Sequence, residues 1–139
     1  MKAPLYNEIL EICQSMAEAS SNEDEKAGEL AHQALQKLCQ TNQGTPKDHP
    51  LQWEALADFT HDGDQALDIY QLALDCAEKL NLTDSKASVL LAMAQRHDEF
   101  EETDKALSFA TQAYNLMAEI KNEELKNEVD ELFISLTKI

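Results

Sequence analysis

Residues 53–74, WEALADFTHDGDQALDIYQLAL, decide the fold. Before the Asp62-Gly63 pair, Trp53, Leu56 and Ala57 have the spacing of one face of an α-helix. A second helical face follows the pair and consists of Ala66, Tyr70, Ala73 and Leu74. A helix with bulky apolar residues that is followed by a helix carrying alanines predicts a closely packed antiparallel hairpin.

The same hairpin pattern recurs on both sides of this stretch. The second-helix set repeats as Ala27, Ala31, Ala34 and Leu35, and again as Ala106, Ala110, Ala113 and Tyr114. The first-helix set repeats as Ile9, Ile12, Cys13 and Met16, and again as Leu90, Met93, Ala94 and His97. Self-similarity of this kind indicates a helical repeat protein, so three hairpins are predicted.

These residues resemble the tetratricopeptide-repeat (TPR) family, whose signature is W-x2-L-G-x2-Y in the first helix and A-x3-F-x2-A in the second. The hairpin of Trp53 and Ala66 is the nearest match, the following hairpin is the next, and the N-terminal hairpin is degenerate. Ala66 and Ala106 are 40 residues apart, which is longer than the usual period of about 34 residues and resembles the longer variants of the family.

The chain departs from the TPR signature at two kinds of position. Ala57 and Ala94 stand where the family has its close-packing glycine, and Thr60 and His97 stand where it has tyrosine. The resemblance nevertheless implies an all-α fold, a right-handed superhelical stack of antiparallel helix hairpins with about seven helices. It predicts one domain over 1–139, with a degenerate hairpin (1–41), two TPR-like repeats (51–121) and a C-terminal capping helix (122–139).

The predicted helix ends follow from residues that start or stop helices. Helix one holds Pro4 in its first turn and runs to about Ala19, and helix two is capped by Ser21-Asn22 and ends near Gln40. Residues 41–50 form a loop, helix three covers 51–61, and helix four covers 64–80. Helix five is capped by Thr83 or Asp84 and runs to Phe100, and Thr103 caps helix six.

The chain is strongly acidic. Lys and Arg number 11 against 27 Asp and Glu, which gives a net charge of -16. Because nucleic acids and anionic membranes are bound largely through clustered Lys and Arg, this balance disfavours both as partners. Two interpretations stay open: the charge steers a basic partner toward the protein, or it only keeps the domain soluble.

The cysteines and the apolar runs predict a cytoplasmic protein. Cys13, Cys39 and Cys76 make an odd number, without a CxxC pair or the spacing of a metal site. Cys13 and Cys76 fall among apolar helical positions, as buried reduced thiols do. The longest apolar run, residues 89–94, is far shorter than the ~20 residues of a membrane span, and the N-terminus lacks the apolar core of a signal peptide.

Paired histidines and aspartates are the strongest hint of chemistry in the sequence. His61-Asp62 and His97-Asp98 resemble parts of a metal-hydrolase site. They fall near equivalent ends of two first helices, however, so the repeat explains both pairs and no third histidine element accompanies them. We therefore predict no enzyme activity, no metal and no cofactor.

The TPR resemblance implies that a peptide binds in the concave groove lined by the first helices. The groove positions are then Asn7, Leu10, Gln14, Glu54, Asp58, His61, Leu91, Gln95 and Asp98. Family members that bind chaperone tails clamp a carboxylate there with Lys, Arg and Asn. Asp58 and Gln95 replace such cations here, so an acidic tail is a poor ligand.

The last predicted helix offers a second candidate surface. Its apolar stripe consists of Leu125, Val129, Leu132, Phe133 and Leu136. A repeat stack needs a capping helix to cover its terminal face, and this stripe fits that role. The alternative is an interface with a partner or with a second copy, so both monomer and homodimer stay open.

Together these patterns predict a non-catalytic protein–protein interaction module, an adaptor or chaperone that binds a protein or peptide. One alternative is a secretion-type chaperone that masks an aggregation-prone partner. Another is an acidic inhibitor that imitates nucleic acid and occupies the binding site of a basic protein. Only the last of these requires binding that weakens steeply with salt.

Overall fold

The computed structural model describes residues 3–138. Seven α-helices and one short 3-10 helix account for its regular structure, and no strand occurs within that range. The α-helices are α1 (Tyr6–Ser21), α2 (Glu25–Asn42), α3 (Pro50–Asp58), α4 (Gly63–Lys79), α5 (Thr83–Glu99), α6 (Thr103–Tyr114) and α7 (Glu123–Thr137). The prediction of an all-α fold with this number of helices is confirmed.

The contacts divide the chain into two compact units, and the division falls inside α4 between Ile69 and Tyr70. In unit 1, α1 packs on α2, and α3 packs on both of them. In unit 2, α5 packs on α6, and α7 packs on both of these helices. Each unit therefore contains one helical hairpin with a further helix laid against it.

Most of the small residues of the hairpin pattern are buried, but on α2 Ala27 and Ala31 are half-buried and Ala34 is exposed. Ala57 and Ala94, which replace the glycine of the TPR signature, have no exposed surface. The same is true of Ala66 and Ala106 at the start of the second-helix pattern. A side chain of one carbon allows a neighbouring helix to approach closely, which explains why alanine fits these positions.

Three helix-to-helix turns share one geometry. Glu23, Asn81 and Glu101 adopt left-handed backbone conformations, with φ of 55°, 56° and 60°. In the turn after α1, the N–H of Asp24 donates to the carbonyl of Ala19. The other two turns have the equivalent bond, from Leu82 to Ala77 and from Glu102 to His97. These are Schellman turns, which satisfy the last carbonyls of the helix they end.

The Schellman turns explain why two of the predicted N-caps are wrong. Ser21 is the last residue of α1, so the prediction that Ser21-Asn22 caps helix two was wrong. Asp24 caps α2 instead, and its carboxylate accepts the N–H of Ala27 at 3.1 Å. The predicted cap Thr103 is the first residue of α6, whose N-cap Glu102 makes no side-chain capping bond. The left-handed residue fixes where the next helix begins, and the capping position follows directly after it.

Asp84 does not cap α5, contrary to the sequence prediction, and neither does Thr83. The N-cap of α5 is Leu82, which has no side-chain capping bond. The Asp84 carboxylate instead accepts the backbone N–H groups of Lys121 at 2.9 Å and Asn122 at 3.1 Å. It thereby holds the segment before α7 against the first turn of α5.

The ends of helices one to three also differ from the predicted positions. Pro4 precedes α1 and α2 continues to Asn42, so the loop covers residues 43–49. α3 begins one residue earlier and ends three residues earlier than the predicted 51–61. Its early start is explained by Pro50, which occupies the first helical turn, and by His49, whose ring nitrogen Nδ1 accepts the N–H of Leu51 at 3.1 Å.

Asp48 organises the loop between α2 and α3. Its Oδ1 atom accepts hydrogen bonds from Trp53 Nε1 at 2.8 Å and from Gln52 Nε2 at 3.2 Å. Its Oδ2 atom accepts the N–H of Gly44 at 2.9 Å, and Gly44 has a positive φ of 76°. The Cys39 thiol donates to the carbonyl of Gln52 at 3.2 Å, which joins the end of α2 to the same region of α3.

α7 packs through the predicted apolar stripe. Val129 is buried, and the ring of Phe133 stacks on Tyr114 of α6 with a centroid distance of 4.1 Å. Leu125, Leu132 and Leu136 are half-buried. Asn122 caps the helix by accepting the N–H of Leu125 at 3.0 Å, as expected for asparagine at this position. The stripe thus contributes to the packing of unit 2.

Candidate functional site

A pocket of about 240 Å³ opens between α1 and α3 in unit 1. From α1 it is lined by Tyr6, Ile9, Leu10 and Cys13. From α3 and the residue after it, the lining residues are Leu51, Glu54, Ala55, Asp58 and Phe59. Both helices contribute residues at positions i, i+3, i+4 and i+7, so one continuous face of each helix forms a wall.

The pocket has an apolar interior and an acidic rim. Ile9 and Ala55 are buried, whereas Leu10 and Phe59 keep 42% and 36% of their surface exposed. Glu54 is half-buried and Asp58 is exposed. None of the lining residues carries a positive charge. A pocket of this kind favours a ligand with an apolar part and a cationic part.

Cys13 is the only lining residue with a thiol. Burial raises its pKa, and the charge of Asp58 raises it further. A thiol with a raised pKa stays protonated near neutral pH, and the thiolate is the reactive form. Cys13 therefore contributes an apolar surface to the pocket and is a poor nucleophile.

The structure brings together three of the nine predicted groove residues, namely Leu10, Glu54 and Asp58. Asn7 and Gln14 are exposed on α1, and His61 is exposed after the end of α3. In unit 2, Gln95 and Asp98 are exposed on α5 but Leu91 is buried. That the nine residues together form a binding groove stays a prediction.

Sequence reasoning missed the other six lining residues. Ile9 and Cys13 had been assigned to the packing face of helix one, while Tyr6, Leu51, Ala55 and Phe59 had no assigned role. One feature of the sequence could have indicated them. The pocket residues within 6–13 and those within 51–58 share the spacing i, i+3, i+4, i+7, which defines a similar face on each of the two helices. Only their packing against one another shows that both faces border one pocket.

The two His-Asp pairs differ in the structure. His97 is buried, its ring stacks on Phe109 with a centroid distance of 5.4 Å, and its Nδ1 atom lies 3.1 Å from Glu102 Oε1. The hydrogen bond with His97, followed by that from Lys105, lowers the pKa of Glu102. His61 is exposed. His97 thus lies in the last turn of α5 and bonds across the turn to Glu102, the N-cap of α6.

Across residues 3–138, no cluster of three or more His, Cys, Asp or Glu side chains is arranged to hold a metal ion. No helix in the same range is long and apolar enough to cross a membrane. Comparison with protein-family models, curated proteins and solved structures finds no match to this chain. We therefore infer the function from the residues and contacts of the pocket itself.

The thiols of Cys39 and Cys13 should react at very different rates. Burial, and then the charge of Asp48, raises the pKa of Cys39 to about 12. We expect iodoacetamide at mildly alkaline pH to leave Cys39 unmodified in the folded protein while it slowly modifies Cys13. Peptide mass spectrometry over time measures both rates.

The control for this prediction is the protein unfolded in guanidinium chloride, in which the thiols should react at similar rates. Modification of Cys39 as fast as Cys13 in the folded protein would show that the packing of α2 on α3 is wrong.

Proposed function

We propose that this chain is a non-catalytic protein–protein interaction module, an adaptor or chaperone, that binds a peptide or protein segment in a TPR-like groove. The observation that carries the proposal is the pocket between α1 and α3, with its apolar interior and acidic rim. These are the first helices of two successive predicted hairpins. In the TPR family, ligands bind on the surface that first helices line.

The packing of unit 1 supports the TPR-like part of this proposal. α3 lies against both helices of the preceding hairpin, as the first helix of a following repeat does in a helical stack. The recurring Schellman turns after α1 and α5 support a repeated hairpin as well. On this basis we propose that the hairpins form a right-handed superhelical stack within one TPR-like domain.

The pocket chemistry favours binding over catalysis. A nucleophilic cysteine needs a lowered pKa, whereas that of Cys13 is raised. Glu54 and Asp58 give the rim a negative charge, which selects a cationic ligand and disfavours an acidic one. The chain's three cysteines are free thiols, which supports a cytoplasmic location as part of the same proposal.

The test is selection of binders from a displayed library of random peptides, followed by titration of the selected peptides. We expect saturable binding that Asp58→Lys weakens by about tenfold, since this variant reverses the charge at the rim. Glu29→Lys is the matched control, because it makes the same charge change on an exposed residue of α2 outside the pocket. It should change the affinity by less than about twofold.

Three outcomes would contradict this proposal. Failure to select any saturable binder would contradict the interaction module itself. Loss of binding in a folded Phe133→Ser variant, with Asp58→Lys unaffected, would place the binding surface on α7. Binding of basic proteins alone, with a steep dependence on salt, would favour the inhibitor that imitates nucleic acid.

A further inference from the structure

We infer that the pocket between α1 and α3 receives one bulky apolar side chain from a cationic peptide segment, whose neighbouring lysine or arginine pairs with Glu54 and Asp58. This inference rests on the proposed function and specifies the kind of segment that is bound. It follows from the size of the pocket, from the exposed apolar residues at its mouth and from the charge of its rim.

The volume of the pocket matches one side chain. A dry protein cavity of about 150 Å³ holds a benzene molecule, and sites for drug-sized ligands or cofactors occupy roughly 300–1,000 Å³. The pocket here, at about 240 Å³, lies between these sizes. It therefore accommodates the side chain of phenylalanine, leucine or methionine and is small for a nucleotide or a cofactor.

The mouth of the pocket provides a reason for an apolar side chain to bind. Leu10 and Phe59 are both large apolar residues with more than a third of their surface in contact with water. They lie beside the buried Ile9 and Ala55, so an inserted side chain would cover a continuous apolar surface. Removing such surface from water is the main favourable contribution to binding.

The rim determines the charge of the bound segment. Glu54 and Asp58 are one turn apart on α3, and Asp58 is the last residue of that helix. The C-terminal end of a helix carries partial negative charge, which adds to that of the two carboxylates. A second copy of this chain brings the same acidic rim and a net charge of -16, so a basic segment is the better occupant.

Three synthetic peptides test the inference. The first has a central phenylalanine between two pairs of lysines, the second has alanine in place of the phenylalanine, and the third has glutamates in place of the lysines. Fluorescence anisotropy should show that the first binds at least about tenfold more tightly than either of the others. The first peptide is preferred to the glutamate peptide because of charge and to the alanine peptide because of apolar contact. High salt should therefore reduce the first of these two affinity differences more than the second.

Alkylation of Cys13 gives a readout at the pocket itself. We expect the phenylalanine–lysine peptide at saturation to slow iodoacetamide modification of Cys13 at least about threefold, because the inserted side chain covers the thiol. Cys76 is also partly exposed and lies in unit 2, so its rate serves as the internal control and should not change. Equal protection by the alanine peptide would contradict insertion.

Two variants separate the apolar and charged contributions. Ala55→Leu fills the pocket and should abolish the preference for phenylalanine over alanine, while Asp58→Lys should abolish the preference for lysine over glutamate. Because Ala55 is buried, circular dichroism must show that the first variant folds. If it does not fold, the exposed Asp58→Lys variant and Cys13 protection still decide the question. Glu29→Lys is again the matched control.

The outcomes distinguish this inference from the proposed function. If library peptides bind the protein but the phenylalanine–lysine peptide has no advantage and leaves Cys13 unprotected, the inference is wrong and the interaction module stands. If neither the library nor the three peptides gives saturable binding, both are wrong. The inference is supported if the phenylalanine–lysine peptide binds more tightly, protects Cys13, and loses the corresponding preference in each variant.

Discussion

Replacing Leu90 with alanine should lower the free energy of unfolding by about 3 kcal/mol, within the usual range for a fully buried leucine. Leu90 lies on α5, the helix that packs on both α6 and α7, and it has no exposed surface. The substitution removes apolar contacts and leaves a cavity that the three helices cannot fully close. Urea unfolding followed by far-ultraviolet circular dichroism measures the loss.

Leu80→Ala is the matched control for this prediction. The same atoms are removed in the same unit, but 44% of Leu80 is exposed, so the cost should stay below about 1 kcal/mol. A similar loss for both variants would contradict the placement of Leu90 in the core of unit 2.

Replacing Asp48 with alanine should cost about 2 kcal/mol in unit 1. The carboxylate accepts hydrogen bonds from the Trp53 indole, the Gln52 amide and the Gly44 backbone, and alanine accepts none of them. The largest part of the cost comes from the indole N–H of buried Trp53, which would lose its partner. The chain has a single tryptophan, so its fluorescence during urea unfolding reports directly on this region.

Asp48→Asn separates the hydrogen bonds from the shape of the side chain. Asparagine keeps one oxygen that can accept from Trp53, but its amide nitrogen cannot accept the N–H of Gly44. We expect a cost of about 1 kcal/mol, roughly half that of alanine. If asparagine is as destabilising as alanine, the bond to Trp53 does not stabilise the protein. If alanine has no effect, Asp48 does not organise the loop.

The helices could be predicted because their signal is local. The apolar stripe of each helix recurs with the helical period, and a residue such as Asn122 marks where a helix begins. In the turns, the preference of serine and asparagine for N-caps suggested Ser21-Asn22, but the left-handed conformation of Glu23 makes Asp24 the cap. Propensity at one residue was outweighed by the hydrogen bonds of the whole turn.

Contacts between distant residues were beyond the reach of sequence patterns. Asp84 is a residue type that often caps helices. Its carboxylate nevertheless accepts the backbone N–H groups of Lys121 and Asn122, far along the chain. Local spacing cannot distinguish these two uses of one carboxylate.

The pocket was only partly predictable for a related reason. The family pattern selected Asn7, Leu10 and Gln14 on the first helix, whereas the pocket face contains Tyr6, Ile9, Leu10 and Cys13. A shift of one residue rotates a helical face by about 100°. On α3, both Glu54 and Asp58 line the pocket, because four residues separate them and they lie one turn apart.

The most direct test of this account is nuclear magnetic resonance of the isotopically labelled protein during titration with the library-selected peptide. Binding in the pocket predicts that the largest amide shifts fall in residues 6–13 and 51–59, and that Asp58→Lys removes them while Glu29→Lys does not. Shifts confined to α7, or to α5, would contradict the account, since the ligand would then occupy a surface other than the pocket between α1 and α3.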